Sequence, residues 1–103
     1  MEHLAFTGGV FYFCIELKRI SMAAPIISPS LLAADFGNLQ RDCQMVNKSQ
    51  ADWFHIDVMD GVFVPNISYG MPVVKTMAEN CEKVMDVHLM IVQPERYIQT
   101  FKD

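Results

Sequence analysis

Three side chains stand at spacings that can hold a metal ion and move a proton. His55 and Asp57 are two apart in the stretch Trp53-Phe-His-Ile-Asp-Val-Met59, and His88 lies in a similar stretch, Val84-Met-Asp-Val-His-Leu-Met90. Successive side chains of a strand point to opposite faces. If both stretches are strands, Trp53, His55, Asp57 and Met59 share one face of the first, with Phe54, Ile56 and Val58 on the other. The second repeats the pattern: Asp86, His88 and Met90 on one face, Val87, Leu89 and Ile91 on the other. A strand buried on both faces of a parallel sheet normally reads as an apolar run. Here ionisable groups alternate with apolar ones, and burying them without partners costs several kcal/mol. Each histidine alone is compatible with a hydrogen-bonded core residue. Two imidazoles and a carboxylate converging on one face instead match a facial ligand set that leaves positions open for substrate. Asp60 and Asp86 stay open: Asp86 suits either support of a histidine or a satisfied interior carboxylate.

The elements that must position these groups alternate. Ile26 to Ser30 is a short strand candidate ending in Ser-Pro-Ser. Asp35 is a helix N-cap candidate, followed by Phe36, Leu39, Cys43 and Val46 at helical spacing, with the helix running to about Lys48. Trp53 to Met59 is the second strand and Gly61 to Tyr69 a turn-rich connection. Pro72 suits the first turn of a helix with Val73, Met77 and Cys81 in one stripe. Val84 to Met90 is the third strand, and Pro94 opens a last helix with Tyr97, Ile98 and Phe101. Such alternation implies βαβ units and a parallel sheet. The expected fold class is α/β: the N-terminal portion of a (β/α)8 TIM barrel, incomplete, with about three βα units. A full barrel takes about 250 residues, and the last helix reaches Lys102-Asp103 without a C-cap signal, so the chain reads as cut off. The ligand candidates then fall near the C-terminal ends of the strands, where barrel active sites sit. Ser28 and Ser30 share a face of the first strand. Ser30, nearer its C-terminal end, is a candidate contact for a substrate oxygen, although a serine bonded to local backbone explains it as well. Met59 and Met90 suit an apolar lining or plain core filling.

Composition narrows the function classes. The chain has 103 residues, 51% of them hydrophobic and 19% charged, which argues against overall disorder. A net charge of −4 gives no basic footprint for nucleic acid. It leaves room for an anionic substrate, since phosphate can be held by backbone N–H groups. Cys14, Cys43 and Cys81 form neither a disulfide framework nor a CxxC motif, which fits a reducing, cytoplasmic setting. The apolar stretch from Gly8 to Ile15 is far short of the about 20 residues that cross a bilayer, and its flanking charges are reversed for a signal peptide. Met22 reads as a fresh start. Residues 1–22 are therefore taken as an N-terminal extension outside the fold, and residues 23–103 as the barrel portion.

Three segments resemble the ribulose-phosphate 3-epimerase family: Ser28-Pro-Ser-Leu-Leu-Ala-Ala-Asp-Phe36, His55-Ile-Asp-Val-Met-Asp-Gly-Val-Phe-Val-Pro-Asn66 and Asp86-Val-His-Leu-Met90. Their order and spacing also agree, from Ile26 to the end. The resemblance implies a (β/α)8 barrel that interconverts D-ribulose 5-phosphate and D-xylulose 5-phosphate in the pentose phosphate pathway. It implies His55, Asp57 and His88 as ligands of one divalent metal ion (Zn, Fe, Mn or Co) and Asp57 as one of two acid/base carboxylates. Ser30, His88, Met59 and Met90 carry over as substrate contacts. The family's second carboxylate and its phosphate loops belong to a later portion. The expected partner is a small sugar phosphate, with no nucleic acid and no membrane, and a homo-oligomer for the full-length protein. Alternatives are a sister epimerase for a six-carbon ketose phosphate such as allulose 6-phosphate, a metal-free phosphate-binding barrel enzyme, or a non-catalytic, aggregation-prone fragment.

Overall fold

The computed structural model describes residues 24–103 throughout and residues 2–7 and 10–15 as backbone strands. The strands are β1 (Glu2–Thr7), β2 (Val10–Ile15), β3 (Trp53–Met59) and β4 (Val84–Met90), and the helices are α1 (Leu39–Lys48), α2 (Met71–Asn80) and α3 (Ile98–Lys102). They give a mixed α/β architecture with sheet order β1-β2-β4-β3. Strands β3 and β4 are parallel and joined through α2, with Trp53 opposite Val84 and Met59 opposite Met90. Both match the stretches expected from alternation.

The helices bury the apolar face of this pair. Phe54, Ile56, Cys43 and Met77 are the largest fully buried side chains, in a cluster with Leu31, Val46, Val58, Val74, Leu89 and Ile91. Each large apolar side chain so buried contributes about 1.5–3 kcal/mol. Polar ties lock the helices together: Asn47 Nδ2 donates to the carbonyl of Asn80 at 2.8 Å, and the amide of Glu82 donates back to Asn47 Oδ1 at 2.9 Å.

Several elements depart from the sequence expectation. Ile26 to Ser30 runs beside β3 but forms only one parallel bridge, Ser30 with His55. The carbonyl of Ile27 accepts from Asp52 and Trp53, and that of Pro29 accepts from His55 at 2.9 Å. Pro29 has no N–H to return, so the ladder cannot close into a strand. Asp35 caps a 3-10 turn, Phe36–Asn38, rather than α1 itself, accepting from the Gly37 amide at 3.0 Å. Phe36 is 52% exposed and meets Tyr69 edge-on instead of entering the core. In α2 Met77 is fully buried as expected and Val73 and Cys81 pack partly buried against the core, but Val74 joins the buried set and Cys81 stands at the C-cap. Pro94 likewise opens a 3-10 turn, Pro94–Arg96, before α3.

Residues 1–22, set outside the barrel pattern by the sequence, contribute β1 and β2. These pair antiparallel, and β2 continues onto β4 with Phe11 opposite Leu89 and Tyr12 opposite His88. An unpaired strand edge is a template for further pairing, and β2 takes up that role along β4.

Candidate metal centre

The parallel register sets His55 beside Asp86 and Asp57 beside His88 across the β3–β4 ladder. All four side chains lie on the face away from the apolar core. His55 Nδ1 is 2.8 Å from Asp86 Oδ2, and His55 Nε2 is 3.1 Å from Asp57 Oδ1. His88 Nδ1 also lies 3.1 Å from Asp57 Oδ1, and the two imidazole centroids are 5.6 Å apart. Ser30 Oγ donates to the other carboxylate oxygen, Asp57 Oδ2, at 2.5 Å. His55, Asp57 and His88 can each offer one ligand atom, all within 4.8 Å of one another. The side chains keep 12–24% exposure, so the group is sheltered yet open to a small ion.

The donor set passes a chemical test for a cation. A carboxylate only accepts, so the short contact to Asp86 puts a proton on His55 Nδ1. In the neutral ring the lone pair is then on Nε2, aimed at the Asp57 oxygen. A lone pair facing an anionic oxygen requires positive charge between them, from a proton or a metal ion. Two ring nitrogens and one carboxylate oxygen form a set that first-row divalent metals accept.

Asp57 is held as an anion. It is the buried charged residue among those described, at 9% exposure. Burial alone is the strongest influence and pushes its carboxyl upward. The Ser30 hydroxyl and the two histidines together outweigh it and leave the group below the usual carboxylate range.

The main chain of Asp57 is fixed by two residues the sequence analysis did not single out. Tyr69 Oη accepts from the Asp57 amide at 3.0 Å, and Ser68 Oγ donates to the Asp57 carbonyl at 2.7 Å. Ser68 Oγ also accepts from the Met59 amide at 3.0 Å. Burial pushes the Tyr69 phenol up to about 12, keeping it neutral. No spacing rule reveals this pair, because both lie in the turn-rich connection and act on backbone groups.

Asp60, left open above, ties two loops together. Its Oδ1 accepts from Val62 and Phe63, both at 2.9 Å, and its Oδ2 accepts from Val92 at 2.8 Å. Met59 and Met90 face each other at the C-terminal end of the ladder, above the histidines. Asn66 Nδ2 approaches Met59 Sδ at 3.6 Å. An apolar cleft of about 300 Å³, lined by Val58, Met59, Tyr69, Ile91, Tyr97 and Phe101 among others, includes neither histidine. Its lining suits packing rather than a charged sugar. Among the described residues, no helix is long and apolar enough to cross a membrane.

Parallel βα units with a His–Asp–His cluster toward the strand ends define a β/α protein with a candidate metal site. Comparison with known proteins then supplies the family: residues 26–103 match the ribulose-phosphate 3 epimerase family, and the chain belongs to it. The ribulose-phosphate 3-epimerase of Synechocystis is 47% identical over 76 residues, covering 74% of this chain and 33% of the relative. That of Mycobacterium bovis is 46% identical over 83 residues, covering 81% of this chain and 35% of the relative. The chloroplastic ribulose-5-phosphate-3-epimerase of Arabidopsis thaliana is 41% identical over 95 residues, covering 92% of this chain and 34% of the relative. The chain thus spans about a third of the length of the relatives it matches.

Proposed function

We propose that residues 23–103 form the N-terminal portion of a (β/α)8 barrel that epimerises D-ribulose 5-phosphate at C3 to D-xylulose 5-phosphate with a divalent metal ion. The observation that carries this reading is the convergence of His55 Nε2, Asp57 Oδ1 and His88 Nδ1 on one point within a family whose relatives bear the epimerase name. These three atoms would hold the ion. When bound, a divalent ion supplies polarisation of the ketone and neutralises charge developing on its oxygen.

The chain's own residues do the rest of this half-reaction. Asp57, ionised at neutral pH, takes the C3 proton on one face of the substrate or returns it in the reverse direction. Ser30 holds the second Asp57 oxygen and so sets the carboxylate plane. The Ser68 and Tyr69 contacts fix the Asp57 backbone, and Met59 and Met90 shield the reacting carbon from water. Inversion needs a second carboxylate on the opposite face, which this reading assigns to the later portion of the whole protein. By itself the 103-residue chain is expected to give no turnover. The whole protein is proposed to be a cytoplasmic homo-oligomer acting on a small sugar phosphate. The free thiols of Cys43 and Cys81 are compatible with that compartment.

The test is a chimera. Residues 26–103 of this chain replace the matching segment of the Synechocystis relative, and turnover of D-ribulose 5-phosphate is followed with metal content. Expected are epimerase activity and one divalent ion per chain. An inactive, folded chimera, or an active one without metal, overturns the proposal. Faster turnover of allulose 6-phosphate moves the substrate to a six-carbon ketose.

A further inference from the structure

We propose that Asp86 is a positioning residue for His55. Its carboxylate accepts the Nδ1 proton and thereby commits Nε2 to the metal position. The inference rests on the metal centre proposed above but does not depend on which sugar is turned over.

The geometry separates the two histidines. His88 turns Nδ1 toward Asp57, whereas His55 turns Nε2 toward the same oxygen. A neutral imidazole has one donor and one acceptor nitrogen, and whichever hydrogen bond is made at one fixes the other. At His55 that bond is the 2.8 Å contact to Asp86, shorter than the 3.1 Å contact to Asp57. Asp86 stands directly opposite His55 in the parallel register, so the strand pairing itself supplies the alignment. Among the described residues, its carboxylate makes no other side-chain hydrogen bond than the one to His55. Among the described residues the group that could hold an ion is His55, Asp57 and His88, without Asp86, so Asp86 is placed to act through the His55 ring. Without it, His55 could present either nitrogen, and the ring would lose its set plane.

The experiment uses the 103-residue chain, histidine nitrogen NMR at pH 8 and titration with Zn²⁺ alone. In the unaltered chain the His55 Nδ1–H should be downfield and slow to exchange, and Zn²⁺ should shift Nε2. Asp86→Ala should remove the protected Nδ1–H and weaken Zn²⁺ binding about 10- to 100-fold, the usual cost of losing such a ligand partner. Asp86→Asn, which keeps an acceptor of the same size, should recover part of both. A protected Nδ1–H that survives in Asp86→Ala overturns the proposal. So does unchanged Zn²⁺ affinity, or an unaltered chain whose His55 ring ignores Zn²⁺. If circular dichroism shows the alanine variant unfolded, Asp86→Asn decides: an Nδ1–H and an affinity identical to the unaltered chain overturn it. An inactive chimera beside the expected NMR result removes the epimerase reading and leaves this one standing.

Discussion

The two faces of β3 are built to opposite ends. One face presents Phe54, Ile56 and Val58 to the helices and is close to fully buried. The other, in the same seven residues, presents His55, Asp57 and Met59, of which Asp57 is buried and the other two are half-buried. On the first face free energy comes from area removed from water, which is non-directional and tolerates changes that preserve volume. On the second it is spent holding charges at fixed positions, where Asp57 is met by Ser30, His55 and His88, and His55 by Asp57 and Asp86. A single strand can therefore place an apolar face and a polar cluster side by side, because a step of one residue switches faces.

Substitutions should separate the faces. The largest effect is expected from Phe54→Ala, which opens a cavity at a fully buried site and costs about 3–5 kcal/mol. Urea unfolding followed by circular dichroism should show a chain that is largely unfolded without denaturant, with metal binding lost as a consequence. Asp57→Asn should do the reverse. Secondary structure persists, while Zn²⁺ binding to the chain falls and turnover by the chimera drops about 10²- to 10⁴-fold. Equal loss of structure in both variants would erase the contrast.

Gly61→Ala tests the turn that follows β3. Gly61 sits at φ +76°, and an added Cβ would lie 2.7 Å from Ile67 Cγ1. The left-handed backbone alone costs a non-glycine residue about 1–2 kcal/mol, so a shift of that order in the urea midpoint is expected. The smallest effect concerns pH. Hydrogen bonding, first from the Val92 amide and then from Val62 and Phe63, draws the Asp60 carboxyl below its ordinary 3.8. A depressed carboxylate stabilises the fold above its unfolded value and ceases to do so as pH falls through the folded one. The urea midpoint should thus have an Asp60-dependent drop only below about pH 4. Asp60→Asn should flatten that part of the curve, and an unchanged acid limb removes the loop tie from the account.

How far this was legible in sequence follows from what sets each feature. Strands β3 and β4 and the His55–Asp57–His88 grouping were readable because alternation with period two acts within a few residues. Ile26 to Ser30 has a strand-like sequence yet forms only one bridge, because the missing N–H at Pro29 matters only once its partner edge is known. In α2 both Val73 and Val74 meet the core, because a helix face in contact with a sheet is wider than a single stripe. Ser68 and Tyr69 were invisible for a different reason. They serve backbone groups of Asp57, and no side-chain pattern records such a need.

The Ser68 and Tyr69 hydroxyls also set how slowly the site breathes. Along the outer edge of β3, Trp53 and His55 donate to carbonyls of Ile27 and Pro29, but Asp57 and Met59 donate to Tyr69 Oη and Ser68 Oγ. Half of that edge is sealed by main chain and half by two hydroxyls. The amides of Asp57 and Met59 should exchange with deuterium as slowly as ladder amides despite having no strand beside them, and their exchange should report the opening of residues 67–69 rather than of the sheet. Time spent with that loop lifted is time in which Asp57 has lost its footing.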